Sequence, residues 1–506
     1  MAANRKGQSE PNGLDSGQNH AAPLHALANW TAGRGPLYAR LARALRSAVE
    51  RGDLPPGRRL PAERVLAHLL AVSRSTVVAA YDQLERDGVV DRRQGSGTRI
   101  LDRQDRPRPA ERPVPRRTLS RNTLFRRILD GPDETIDFLG AYLVGSSGLP
   151  SAALAGIDRE LARLSLDSGY APLGHPPLRR AIAEWLTRQG LPTAADQVLV
   201  TSGAQQAIHL AGWHFLQPGD TVLVENPTYP GALDAFNAAG GRLAWVPTGR
   251  QGANVERLSE LLPRTSPRLV YLIPTFQNPT GGVLPAHRRE AVARLIEAHA
   301  LPLVEDESLA VVALDDGPLP PPIAAFAPEA PILTLGSLGK LFWGGLRVGW
   351  IRASAPLIAQ LGRLKAVADL GSSLPGQVIA TRLLEHAEEV RRERCAELGR
   401  RFALMSDLLE RELPDWSWER PRGGLCLWVR LPRGSAAEFA ALALRHGVSL
   451  VPGTVASADN SFADYLRLPF GLEPAVLEEG IRRLARAWAA YEPLVQPAHA
   501  ALAVIV

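Results

Sequence analysis

Apolar residues near the start of the chain recur at helical spacing. Leu37, Leu41, Leu45 and Val49 fall on one face of a helix expected over residues 35–49. Gly52, Pro55, Pro56 and Gly57 then break the pattern, and a second helix is expected over 62–70, with Glu63 in its first turn, where the helix dipole favours an acid. Ala71 and Val72 make a short turn. Ser73 is placed to cap a third helix that carries Val77, Tyr81 and Leu84 inward. After Gly88 the run Val89-Val90, a turn holding Gly95 and Gly97, and then Ile100 read as strand, glycine turn, strand.

Beyond Ile136 the pattern changes. Short runs such as Val198-Leu199-Val200, Thr221-Val222-Leu223-Val224, Leu269-Val270-Tyr271-Leu272-Ile273 and Leu303-Val304 alternate with helical stretches. That alternation predicts an α/β domain with a mostly parallel sheet, whose ligands bind beyond the carboxyl ends of the strands.

Composition narrows the class. At 506 residues the chain needs more than one domain, and no apolar run reaches the length of a membrane span. The first thirty residues lack the basic-then-apolar layout of a secretory signal, so residues 1–32 are expected to be a loose leader of a cytoplasmic protein. Two cysteines, Cys395 and Cys426, stand far apart and outside any metal-ligand spacing, so neither a disulfide framework nor a metal site is expected. Residues 34–130 carry 22 Arg against 11 acids, a net of +11 in a chain of net +6. A basic front on a mildly acidic body fits a polyanion partner or simply a basic solvated surface. Residues 102–133 hold Pro107, Pro109, Pro113 and Pro115 among arginines and read as an extended tether, and 493–506 as a tail. Folded domains are therefore expected over 33–101 and 134–492.

The run Leu60-Pro61-Ala62-Glu63-Arg64, then Val72-Ser73-Arg74-Ser75-Thr76-Val77, then Gly95-Ser96-Gly97-Thr98 resembles the GntR-type winged helix-turn-helix. In that family the third helix enters the major groove of DNA by its N-terminus. The resemblance implies DNA contacts from Arg64, Ser73, Arg74, Ser75 and Thr76, with Gly95 letting the wing approach the minor groove. The chemistry agrees: arginine forks suit guanine edges or phosphates, and hydroxyls suit phosphates.

Lysine usage marks the second domain. Only Lys6, Lys340 and Lys365 occur among 58 basic residues. Arginine replaces lysine almost anywhere except where a deprotonable amine is needed, as in a Schiff base with an aldehyde. Lys340, in Gly336-Ser337-Leu338-Gly339-Lys340 and seven residues before Arg347, follows an expected strand over 332–335. Lys6 and Lys365 read as ordinary surface lysines. A pyridoxal 5'-phosphate site needs further groups, and each has a candidate. Asp306 can pair with the pyridinium nitrogen. Ser202, Gly203, Ala204 and Gln205 open a helix whose N–H groups suit a phosphate, with Ser337 and Arg347 close to the lysine in sequence. Tyr229 offers a flat face for the ring, and Asn278 a donor for its hydroxyl.

These segments, with Asn278-Pro279-Thr280-Gly281, Ser337-x-x-Lys340 and Leu466-Arg467-Leu468-Pro469-Phe470, resemble the fold-type-I aminotransferase family. The resemblance implies that Arg467 grips the carboxylate of an amino acid through a bidentate fork. It also implies a homodimer, in which the segment Tyr170-Ala171-Pro172-Leu173-Gly174 sends Tyr170 to the phosphate of the neighbouring subunit. One departure stands out: after Glu305-Asp306 the family places another acid and then a tyrosine, whereas here the run is Glu307-Ser308. Joined to the GntR-type front, the whole resembles the MocR/GabR class of regulators. That resemblance implies operator DNA and a small amine or amino-acid effector as partners. Two other readings stay open: an active aminotransferase carrying an accessory DNA-binding domain, and a regulator that senses the cofactor alone.

Overall fold

Helix α1 (Leu37–Arg51) stops where Gly52 turns left-handed, with φ 84°. After it come α2 (Glu63–Leu69), α3 (Arg74–Arg86) and an antiparallel hairpin of β1 (Val90–Arg93) and β2 (Gly97–Ile100). The Ser73 hydroxyl accepts from the Thr76 N–H at 3.2 Å, so the expected cap forms. The inward residues Leu41, Leu45, Leu66, Val77, Tyr81 and Leu84 build one core with Val90 and Ile100. The Tyr81 phenol is held inside that core by donating to the Pro61 carbonyl at 2.8 Å. Leu37, expected on the buried face, is 46% exposed because it begins the helix and projects past its partners. The expected leader is not wholly loose, since Leu27 is buried in this core and Trp30 packs against it.

The computed structural model describes residues 27, 30–31, 36–93, 97–101, 135–143 and 149–495. The expected linker at 102–133, Gly95 and the tail beyond 495 lie outside the described residues. The chain forms two compact units, Met1–Arg116 and Arg117–Val506.

An eight-stranded sheet organises the second unit. Its elements in chain order are β3 (Val198–Thr201), α4 (Ala204–Phe215), β4 (Thr221–Asn226), β5 (Arg242–Gly249), β6 (Gly252–Ala253), β7 (Leu269–Leu272), β8 (Leu303–Asp306), β9 (Ile332–Ser337), β10 (Gly349–Arg352) and α5 (Ala355–Asp369). In space the order is β3-β10-β9-β8-β7-β4-β5-β6. The middle strands are parallel; β10 runs against both β9 and β3, and β6 against β5. Buried on both faces, β3 and β7 read as nearly continuous apolar runs rather than alternating ones, and β8 opens on Leu303-Val304 before two buried acids, Glu305 and Asp306.

A smaller C-terminal layer follows, with α6 (Ala387–Glu412), β11 (Ser417–Trp418), β12 (Cys426–Arg430), β13 (Val451–Pro452), β14 (Tyr465–Pro469) and α7 (Pro474–Val495). Its four strands form an antiparallel sheet that shares a core with the helices around Phe402, Phe439, Leu468 and Trp488. Helix α7 runs three residues past the expected boundary at 492.

Candidate functional site

Sheet order decides which residues meet. The parallel strands end on one edge, and there β3 delivers Ser202 and Gly203, β9 delivers Ser337 and Lys340, and β8 ends on Asp306. The segments after β7 and β4 bring Asn278 and Tyr229. Because β10 runs antiparallel, its start lies on the same edge: Gly349 is level with both Thr201 and Ser337, which sets Arg347 beside them.

Lys340 sits half-buried, its Nζ donating to the Ala141 carbonyl at 2.6 Å. Burial and the Arg467 guanidinium push its ammonium down to about 8, with Cys426 and Asp306 acting the other way. A lysine at about 8 is about one-tenth neutral at pH 7, far more than an ordinary lysine, and the neutral form is the nucleophile. Asp306 is buried; its carboxylate accepts from the Tyr271 phenol at 2.8 Å and from the Ser308 N–H at 3.0 Å. Tyr271 is lifted well above its usual range by burial and by that carboxylate, so it serves as a fixed donor that orients Asp306. Arg467, buried on β14, donates through Nη2 to the Leu139 carbonyl, and its Nε has no partner among the described residues. Tyr229 is pushed up to about 12, first by burial and then by Asp306, with Arg467 and Arg347 opposing. Lys340, Asp306, Tyr229, Arg347 and Arg467 thus act on one another electrostatically within one site.

An anion cradle lies next to them. The N–H groups of Gly203, Ala204 and Gln205, at the start of α4, donate to no described residue. Gly203 adopts φ +111°, and a β-carbon there would stand 3.3 Å from Arg347 Nη2. The guanidinium therefore lies directly over the helix start. Arg347 itself holds a left-handed φ of 52°, a conformation that costs a non-glycine residue of order 1–3 kcal/mol and recurs where a side chain must be aimed. Free N–H groups under an exposed guanidinium fit a phosphate, and a lysine with a paired aspartate fits an aldehyde-bearing pyridine. The residues present fit pyridoxal 5'-phosphate.

Other expected residues are placed as follows. Ser337 is half-buried and its hydroxyl accepts from the Gly339 N–H at 3.2 Å. Asn278 is buried, 4.0 Å from Cys426 Sγ. Tyr170 is 69% exposed and lines a separate cavity with Asp369 and Gly371, so it does not complete the cradle of its own chain. Ser308 is buried and its hydroxyl is unpartnered among the described residues. Lys365, read as a surface lysine, is fully buried in α5, ion-paired to Asp369 at 2.7 Å; a helix face packed on the sheet leaves no other solution for its charge. Sequence reasoning missed Tyr271 and Cys426 as members of the site. A lone phenol inside the apolar run of β7 was the available signal for the first; nothing marked the second.

In the first unit Arg64, Ser73, Arg74 and Ser75 are exposed, and Thr76 half-buried, around the N-terminus of α3. The Ser73 hydroxyl lies 2.8 Å from those of Ser75 and Thr76. Arg74 is ion-paired to Glu63 at 3.0 Å, and Glu63 also holds Arg92 at 2.6 Å.

A winged helix-turn-helix unit followed by an α/β unit of this strand order, with lysine and aspartate on its carboxyl edge, defines a GntR-type domain fused to a fold-type-I transferase domain. The chain belongs to the aminotransferase class I and II family, whose model matches residues 139–484, and residues 37–100 match the bacterial regulatory proteins of the gntR family. The HTH-type transcriptional regulator YisV of Bacillus subtilis is 29% identical over 480 residues, 91% of this chain and 98% of its own. MocR of Rhizobium meliloti, described as a probable rhizopine catabolism regulatory protein, is 28% identical over 475 residues, 90% of this chain and 94% of its own. Among solved structures, LysN of Thermus thermophilus is similar with a TM-score of 0.68 and 32% identity, covering 74% of this chain and 97% of that one. LysN is an alpha-aminoadipate aminotransferase, solved with N-(5'-phosphopyridoxyl)-L-leucine. Among the described residues no helix is long and apolar enough to cross a membrane.

Proposed function

We propose that this chain is a pyridoxal-phosphate-dependent transcription regulator of the MocR/GabR class, acting in the cytoplasm, whose aminotransferase-like unit senses an amine or amino acid. The observation that carries the reading is the presence, in one chain, of a cation-and-hydroxyl array at the start of α3 and a Lys340–Asp306 site beside an anion cradle. When bound, pyridoxal 5'-phosphate supplies an aldehyde that condenses with primary amines. Lys340 is the resident amine. Asp306, oriented by Tyr271, accepts the hydrogen bond of the ring nitrogen, and Tyr229 packs on the ring face. Arg347, Ser337 and the N–H groups of Gly203, Ala204 and Gln205 hold the phosphate, with Tyr170 of the partner subunit completing it in a homodimer. Asn278 donates to the ring hydroxyl, and Arg467 orients the carboxylate of an incoming amino acid.

Effector binding favours one arrangement of the chain only by its differential affinity for the two states, and that difference is what operator DNA reads. Ser308 weighs against sustained transamination, since its short hydroxyl cannot reach where a phenol would. The test is direct. The full chain, loaded with cofactor, is titrated with primary amines and amino acids while its visible absorbance and its affinity for the DNA upstream of its own gene are followed. A spectral response with a matching change in DNA affinity supports the reading. Steady keto-acid production with no effect on DNA would favour the enzyme instead.

A further inference from the structure

A chain of polar contacts in the α/β unit, anchored on one buried lysine, is left unused by the site described above. Lys365 is fully buried, and its Nζ donates to both Asp369 oxygens, at 2.7 and 2.8 Å. Asp369 Oδ2 accepts from Gln206 Nε2 at 2.7 Å, and Oδ1 from the Gly371 N–H at 2.9 Å. Gln206 Oε1 in turn accepts from the Ser202 N–H at 2.8 Å. The chain of contacts begins in α5 and ends on the residue that precedes the phosphate cradle.

Each link has a fixed direction. A buried ammonium keeps the neighbouring carboxylate charged. Burial raises the Asp369 carboxyl, but hydrogen bonds from Lys365, Gln206 and Gly371 outweigh it and hold it below its usual range. An ionised carboxylate only accepts, so the Gln206 amide must turn its NH2 group to Asp369 and its oxygen to Ser202. With the Ser202 N–H engaged by that oxygen, the peptide joining Thr201 to Ser202 is held at the entry to the cradle. The next N–H groups, of Gly203, Ala204 and Gln205, donate to no described residue, and the Arg347 guanidinium stands beside Gly203.

We infer that Lys365, Asp369 and Gln206 form a positioning relay that sets the phosphate cradle, so that recognition of the phosphate depends on residues that never touch it. The inference rests on the cofactor reading above. Pyridoxal lacks the phosphate and otherwise matches pyridoxal 5'-phosphate, so the ratio of the two affinities isolates the cradle. Gln206→Met cuts the link to Ser202 while leaving the Lys365–Asp369 pair intact, which protects the fold. A misplaced cradle is expected to cost about a factor of ten in affinity, about 1.4 kcal/mol. Gln206→Met is therefore expected to bind pyridoxal 5'-phosphate about tenfold more weakly and pyridoxal as well as the wild type does. Asp369→Asn, which frees the amide to flip, should shift in the same direction. An equal loss for both compounds, or no loss for either, overturns the relay. Inorganic phosphate followed by phosphorus NMR, without cofactor, separates the two ideas. If wild type binds phosphate better than Gln206→Met yet forms no absorbing complex with pyridoxal 5'-phosphate, the cofactor reading fails and the relay stands.

Discussion

Arg74, at the first turn of α3, is ion-paired at 3.0 Å to Glu63, at the first turn of α2. Glu63 also binds Arg92 from the wing hairpin, so one carboxylate neutralises two cations at the proposed DNA face. Entry into a groove must trade these pairs for phosphate or base contacts. Arg74→Ala is expected to weaken specific operator binding by roughly 1–3 kcal/mol if Arg74 reads a base, and to weaken all sequences equally if it touches phosphate. Glu63→Gln should do the reverse, raising affinity for random DNA and steepening its salt dependence by releasing Arg74, while Arg92 keeps its pairing to Asp82. Fluorescence anisotropy on operator and random duplexes at two salt concentrations distinguishes these outcomes. Unchanged affinity in both variants would remove this face from the DNA interface.

A lysine depressed to about 8 gives cofactor uptake a defined pH dependence. The neutral amine attacks an aldehyde and the ammonium does not, so loading of the cofactor-free chain should accelerate as pH rises and level off above about 8. Lys340→Ala should show no visible band at any pH. Burial is the largest cause of the depression and the Arg467 guanidinium the next, so Arg467→Ala should move the midpoint upward. Stopped-flow absorbance, run from mildly acidic to mildly alkaline pH, reads all three. A flat profile in the wild type would mean that the Lys340 amine is not the attacking group.

Gly203 tolerates no side chain if the cradle is where the phosphate binds. Its φ of +111° is strained for any β-carbon, and that carbon would crowd the Arg347 guanidinium at 3.3 Å. Gly203→Ala should therefore keep its melting transition, lowered by a few degrees, and bind pyridoxal 5'-phosphate at least about tenfold more weakly, since about 1.4 kcal/mol is a factor of ten. Calorimetry against absorbance titration separates loss of fold from loss of the site.

Much of this was legible in the chain itself, for physical reasons. The helices of the first unit follow from apolar residues at helical spacing, and Ser73 was recognisable as a cap because a hydroxyl before a helix satisfies a free N–H. Strands such as β3 and β7 announced themselves as short apolar runs, because both of their faces are covered. What stayed hidden depends on register between distant segments. Nothing local places Cys426 against Asn278, 148 residues away, and only the pairing of β12 with β14 brings it to the site. Lys365 looked like a surface residue because its partner Asp369 is polar and one helical turn away, the pattern of a solvated pair. Its burial comes from α5 lying on the sheet, which sequence spacing does not record.

Arg467 offers the sharpest test of whether effector sensing drives the DNA-binding unit. Its Nη2 is engaged by the Leu139 carbonyl, but its buried Nε is unpartnered among the described residues, an arrangement suited to a guanidinium that waits for a carboxylate. Replacing it with alanine should leave DNA affinity without effector unchanged and should still allow a cofactor band above the shifted loading midpoint. What should vanish is the change in DNA binding caused by an amino acid. Truncating one partner of a buried, hydrogen-bonded charge pair costs roughly 2–5 kcal/mol, enough to move the response beyond ordinary ligand levels. Arg467→Lys keeps the charge but loses the two-pronged geometry, so it should respond only at much higher concentration. The measurement is operator binding titrated with amino acid for wild type, Arg467→Ala and Arg467→Lys. Three superimposable curves would show that the effector carries no carboxylate or that the cofactor itself is the signal. A response kept by Lys and lost by Ala would show that charge, rather than the fork, selects the ligand.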